Sequence, residues 1–105
     1  MYVARLCKAT LVDGRAEEYE AFARDISLPM FRMQRGFMSV AMMRNGNDCS
    51  VLTLWRDKQS IRQLDRSESY LATVGMVMAT GFLQDVGGAV LFDLHLADLR
   101  SISIA

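Results

Sequence analysis

The chain has 105 residues, 51% of them hydrophobic, which suits a single domain with one apolar core. Twelve Lys and Arg balance twelve Asp and Glu, so the electrostatic signature of a nucleic-acid binder or an anionic-membrane binder is missing. Cys7 and Cys49 have neither zinc-site nor redox-motif spacing and read as free thiols; with no visible targeting segment, the expected compartment is the cytoplasm.

The first element, Tyr2 to Leu11, is strand-like, and Asp13-Gly14 follows as a turn. The acidic Glu17-Glu18-Glu20 cluster then suits the first turns of a helix. From Ala16 the apolar residues Tyr19, Phe22, Ala23, Ile26, Met30 and Met33 recur at spacings of three and four, one face of an amphipathic helix. Pro29 should kink or restart it, since proline lacks the N–H and clashes with the preceding turn. Gly36 ends this region and Phe37 to Met43 reads as the second strand.

Asn45-Gly46, between two apolar runs, is a hairpin signal, and Ser50 to Arg56 is the returning strand. Asp57 is placed to cap the next helix, whose stripe begins with Ile61 and Leu64. A break near Ser67 precedes a continuation through Tyr70, Leu71, Val74, Val77 and Met78. Gly87-Gly88 marks the exit, and Ala89 to Leu96 is expected as the last strand. Residues 2–96 form the core of one domain, 1–105, and residues 97–105 a tail without a clear signal.

The order β-α-β-β-α-β predicts an α+β, ferredoxin-like antiparallel sheet with strand order 4-1-3-2 and helices on one face. The second strand is apolar at Phe37, Met38, Val40, Ala41, Met42 and Met43, where a half-exposed strand would alternate. Helices cover only one face, so a second copy of the sheet is expected on the other: a homodimer burying on the order of 2,000 Å² or more.

Candidate chemistry is sparse. Trp55, the only tryptophan, ends the third strand, as a pocket wall offering one N–H or as core filling. Lys58, Arg62 and Arg66 recur every four residues, as an anion-binding stripe or as a solvated face neutralised by Asp65 and Glu68. His95 is the only histidine; with Asp93 it forms either an oriented base or the polar side of a terminal strand. Cys7 shares a strand side with Val3 and Arg5, and a buried, inert thiol fits it better than a nucleophile. No glycine-rich phosphate loop, serine elbow or metal-spaced cluster appears.

The element order, Gly36-Phe37 after the first helix, Leu-x-Leu-Trp at 52 to 55 and Ser67-x-x-Tyr70 together resemble the antibiotic biosynthesis monooxygenase family of dimeric α/β barrels, over residues 2 to 96. The resemblance implies a monooxygenase needing no metal or flavin, acting on a small phenol- or anthrone-like aromatic. The alternative is a non-catalytic barrel that binds a small hydrophobic ligand. In this picture Trp55 and Tyr70 are walls or hydrogen-bond donors, Arg66 or Arg5 stabilises a substrate anion, and His95 is the candidate base. Other relatives degrade heme with an asparagine on the first strand, a tryptophan on the third and a histidine on the second helix. Here those positions are similar to Cys7, Trp55 and Asp65 or Arg66, so the histidine is missing and heme chemistry is not expected.

Overall fold

The computed structural model, which describes residues 1–100 and 102–104, places the first strand at the middle of one antiparallel sheet. β1 (Val3–Leu11) pairs along its length with β3 (Asp48–Trp55), and β2 (Phe37–Asn45) lies outside β3 as the edge strand. On its other side β1 pairs with β4 (Leu83–Val86) and β5 (Val90–Asp93). The strand order β2-β3-β1-β4 is the ferredoxin-like order expected from the sequence.

The last strand differs from expectation. It is not one run from Ala89 to Leu96 but two short pieces on either side of Gly87-Gly88. Val86 pairs with Ala9 and Val90 with Leu6, so the three residues 87–89 stand opposite the two residues Cys7 and Lys8. That is the count of a β-bulge. Gly87 suits it because the chain runs close there: its N–H donates to the Lys8 carbonyl at 2.8 Å, and a Cβ would sit 3.2 Å from that oxygen. The strand pairing ends at Asp93, so His95 lies beyond it.

The hairpin is tight. Asn45 pairs with Asp48, leaving Gly46 and Asn47 as a two-residue loop, with Gly46 at φ +61°. A positive φ at the first loop position belongs to the turns that match strand twist. β2 also carries an irregularity: Phe37 pairs with Trp55 but Ser39 with Leu54, leaving Met38 as an extra residue. This puts Phe37, Val40 and Met42 on the same sheet face as Trp55 and Thr53.

The first helical region is three pieces: α1 (Ala16–Phe22), a π-helical turn (Ala23–Ser27) and α2 (Leu28–Arg32). Pro29 sits in the first turn of α2, where its missing N–H costs least. The wider π turn before it resets the phase of the stripe. Met30 and Phe31 therefore face the core, and Met33, expected on the apolar face, is exposed. α3 (Lys58–Asp65) and α4 (Glu68–Ala79) form the second helical region, broken at Ser67 as expected. Asp57 caps α3, accepting from both the N–H and the hydroxyl of Ser60 at 2.8 Å.

Both helical regions pack on the odd-numbered face of β1 and β3, in two clusters. One gathers Val3, Met30, Phe31, Trp55, Ile61 and Leu64; the other gathers Leu11, Cys49 and Phe82 with Tyr19, Phe22 and Val77. The opposite face presents Val90, Phe92 and Met43, each about half exposed, beside Leu6 and Leu52. Most of the expected stripe of α4 is uncovered as well: Leu71, Val74 and Met78 are exposed and Thr73 is the buried residue. Among the described residues no helix is long and apolar enough to cross a membrane.

Candidate functional site

β1 and β3 hold most of the residues singled out from sequence. Trp55 is completely buried, edge-on to Phe37 at 5.7 Å and to Phe31 at 6.5 Å between ring centroids. Its indole N–H donates to the Thr53 hydroxyl at 2.8 Å, and that hydroxyl donates to the Arg5 carbonyl at 3.4 Å. With its one donor used inside the protein and its ring enclosed, Trp55 is core rather than an exposed pocket wall.

One strand over, Arg5 is buried, 7% exposed. Its guanidinium donates to the Tyr70 hydroxyl at 2.8 Å and lies 5.5 Å from the centre of that ring. No carboxylate pairs with it among the described residues. The guanidinium charge therefore faces the phenol oxygen and the ring of Tyr70. Cys7 follows on the same face, half-buried; burial pushes its thiol above the ordinary cysteine value, against the opposing pull of Arg5. The structure thus brings Arg5, Cys7 and Tyr70 together beside the Trp55–Thr53 pair. Arg66 and His95 are exposed, and neither side chain makes a hydrogen bond or ion pair among the described residues. The partner of Asp93 is Lys58, at 3.8 Å, not His95.

A cleft lies elsewhere, and sequence reasoning did not find it. It has a volume of about 650 Å³ and opens between the first helical region and β2. Its floor is Phe37, Val40 and Met42, the helix-facing residues of β2. Its opposite wall is Tyr19, Ala23 and Leu28, on either side of and within the π turn. The rim carries Arg24, Arg32, Arg44 and Glu20, and the C-terminal tail closes one side with Arg100, Ile102 and Ile104. Phe37 and Met42 also pack against the buried cluster that holds Trp55, so the floor of the cleft is backed by that core.

Tyr19 is the phenol on the wall of this cleft, half-buried and packed against Cys49 and Phe82. Burial, reinforced by the neighbouring Cys49 thiol, pushes its phenol up to about 12, so it stays protonated and able to donate. Arg44 reaches Glu20 at 3.7 Å and ties the edge strand to α1 across the opening. The one sequence signal that pointed here was the apolar excess on β2, for which a second copy of the sheet was the expected cover. Among the described residues no three His, Cys, Asp or Glu side chains come together to hold a metal ion.

Neither a protein-family model nor a curated protein matches the chain. Solved structures do. SnoaB, a cofactor-independent oxygenase from Streptomyces nogalater, aligns with a TM-score of 0.72 at 21% identity, covering 91% of this chain and 95% of that one. A protein of unknown function from Nitrosomonas europaea aligns with a TM-score of 0.77 at 16% identity, covering 95% of each. A Chloroflexus aurantiacus protein assigned as an antibiotic biosynthesis monooxygenase aligns with a TM-score of 0.74 at 8% identity, covering 93% and 97%. At these identities the likeness establishes the fold: the chain has the ferredoxin-like architecture that these proteins share.

Proposed function

We propose that this chain belongs to the antibiotic biosynthesis monooxygenase family and oxidises a small phenol- or anthrone-like aromatic with dioxygen, without metal or flavin. The observation that carries the reading is the cleft: an apolar floor, a phenol donor and a cationic rim, about 650 Å³ in volume, in a fold shared with a cofactor-independent oxygenase. That volume suits a ligand of a few fused rings.

In this reading the substrate supplies the electrons. Loss of a proton gives a phenolate or carbanion, which reduces dioxygen. For an anthrone one oxygen atom enters the substrate and the other leaves as water with the two hydrogens of the reacting CH₂, which becomes a C=O. The protein holds the ring against Phe37, Val40 and Met42, excludes water and stabilises the anion. Tyr19, kept protonated by burial, donates to the developing oxyanion, and Arg44 adds positive charge. Arg5, Tyr70, Trp55 and Thr53 do not line the cleft; their role in this reading is to hold the sheet and helix that frame it. Arg66 and His95 do not line the cleft, and the proposal gives them no role. The working unit we propose is a homodimer whose copies bury the open sheet face of Leu6, Leu52, Val90 and Phe92 in the cytoplasm.

Oxygen uptake with a panel of anthrones and hydroquinones tests the chemistry. The expected result is one dioxygen consumed per substrate oxidised, with Tyr19→Phe slowing turnover by on the order of 10². If the ligand's own fluorescence reports binding while no oxygen is consumed, the oxygenase reading fails and a non-catalytic ligand-binding protein remains. Sedimentation as a monomer at micromolar concentration would refute the dimer.

A further inference from the structure

We infer that the cleft along β2 selects amphipathic anions, a flat apolar body carrying a carboxylate, and that Arg32 and Arg100 hold the charged end. The inference rests on the proposed function only in placing the ligand in this cleft; it concerns recognition, not oxygen chemistry.

Charge is the first argument. The whole chain is neutral, yet four arginines and one carboxylate line this concavity. Two of the arginines already have partners: Arg44 lies 3.7 Å from Glu20, and Arg24 lies 3.0 Å from its neighbour Asp25. Arg32 and Arg100 form no ion pair among the described residues. Like charges gathered at an apolar concavity repel each other, and the low-dielectric walls focus their field on the opening. A bound anion relieves that repulsion.

The second argument is the ligand geometry the walls permit. Guanidinium groups match a carboxylate with two parallel N–H···O bonds, which orients as well as attracts. Arg32 ends α2 and Arg100 stands on the C-terminal tail, so the charged end belongs where the tail approaches the helices. Ile102 and Ile104, both exposed, line the same concavity and are free to cover a bound ring. The described part of the tail has no secondary structure, yet it supplies one cation and one apolar wall of the site.

Two probes of matched shape test this under anaerobic conditions, where turnover is suppressed: anthracene-2-carboxylate and the uncharged anthracene-2-carboxamide, followed by their own fluorescence. The carboxylate is expected to bind at least tenfold more tightly, with a preference that falls as salt rises. Arg32→Gln and Arg100→Gln should each reduce the preference severalfold, and the double variant should bring it close to unity. Both side chains are exposed, so the urea midpoint should not move and folding is controlled. Equal binding of the two probes, no binding of either, or a preference that survives the double variant overturns the inference. Selective binding without oxygen uptake sinks only the oxygenase reading; oxygen uptake on neutral aromatics with equal binding of the two probes sinks only this one.

Discussion

Whether Trp55 is structural can be decided through Thr53. Thr53 is fully buried, and its hydroxyl accepts the indole N–H at 2.8 Å. Thr53→Val keeps the side-chain shape and removes the oxygen. The indole N–H is then buried without a partner, which costs about 1–3 kcal/mol. A loss of ~2 kcal/mol would lower Tm by roughly 8–16 °C in a domain of this size. The indole's share is isolated by a double-mutant cycle with Trp55→Phe, unfolded in urea and followed by far-ultraviolet circular dichroism. In the phenylalanine background no N–H is stranded, so Thr53→Val should cost about 1–2 kcal/mol less than in the native background. Thr53→Ser retains the oxygen and should lose only about 1 kcal/mol with its methyl group. An equal cost of Thr53→Val in both backgrounds would show that the indole N–H does not depend on this hydroxyl, and the assignment of Trp55 to the core would lose its main support.

Other consequences follow from local geometry. Gly36 has φ +81°, and a Cβ there would overlap the Ser60 side chain, so Gly36→Ala should destabilise the protein by about 2 kcal/mol or more, read as a lower urea midpoint; an unchanged midpoint would contradict that close approach. The Asp57 carboxylate is held below its ordinary value by the Ser60 backbone N–H and then by the Ser60 hydroxyl. Its contribution to stability is therefore present above the unfolded carboxylate value and disappears as pH falls through the lower folded value. Asp57→Asn should flatten that limb of an acid titration followed by circular dichroism, and an unaltered limb would exclude this cap as its source. Burial raises both thiols, Cys7 and Cys49, so native protein at pH 8 should react with a disulfide reagent much more slowly than free cysteine, with two thiols released on unfolding. A fast native thiol would mean that one of these sites is open.

What could be read in the sequence was what neighbouring residues settle between themselves. The Asp57 cap, the break at Ser67 and the tight turn at Gly46 each depend on a few adjacent positions, and the structure contains all three. Phase errors arose where one extra residue entered. The π turn before Pro29 moved Met33 outward and Phe31 inward. The bulge at Gly87-Gly88 split the last strand and gave β4 a place before it. Periodicity cannot anticipate either event, because an inserted residue changes which side every later residue faces.

The candidate site is a matter of long-range meeting. Arg5 and Tyr70 are 65 residues apart, and nothing local to either signals the other. The cleft draws its walls from α1, the π turn, α2, β2 and the tail, so its four arginines are scattered in the sequence and gathered only in space. By itself the sequence determined the order of elements and, through apolar periodicity, the ferredoxin-like sheet with its helices on one face, since burial depends on pattern. Tertiary structure alone decided which residues meet at a common concavity. It enclosed Trp55 by giving its N–H to Thr53, and it left the edge of β2 open between an apolar floor and a rim of cations, because close packing and charge pairing are settled only when distant segments come into contact.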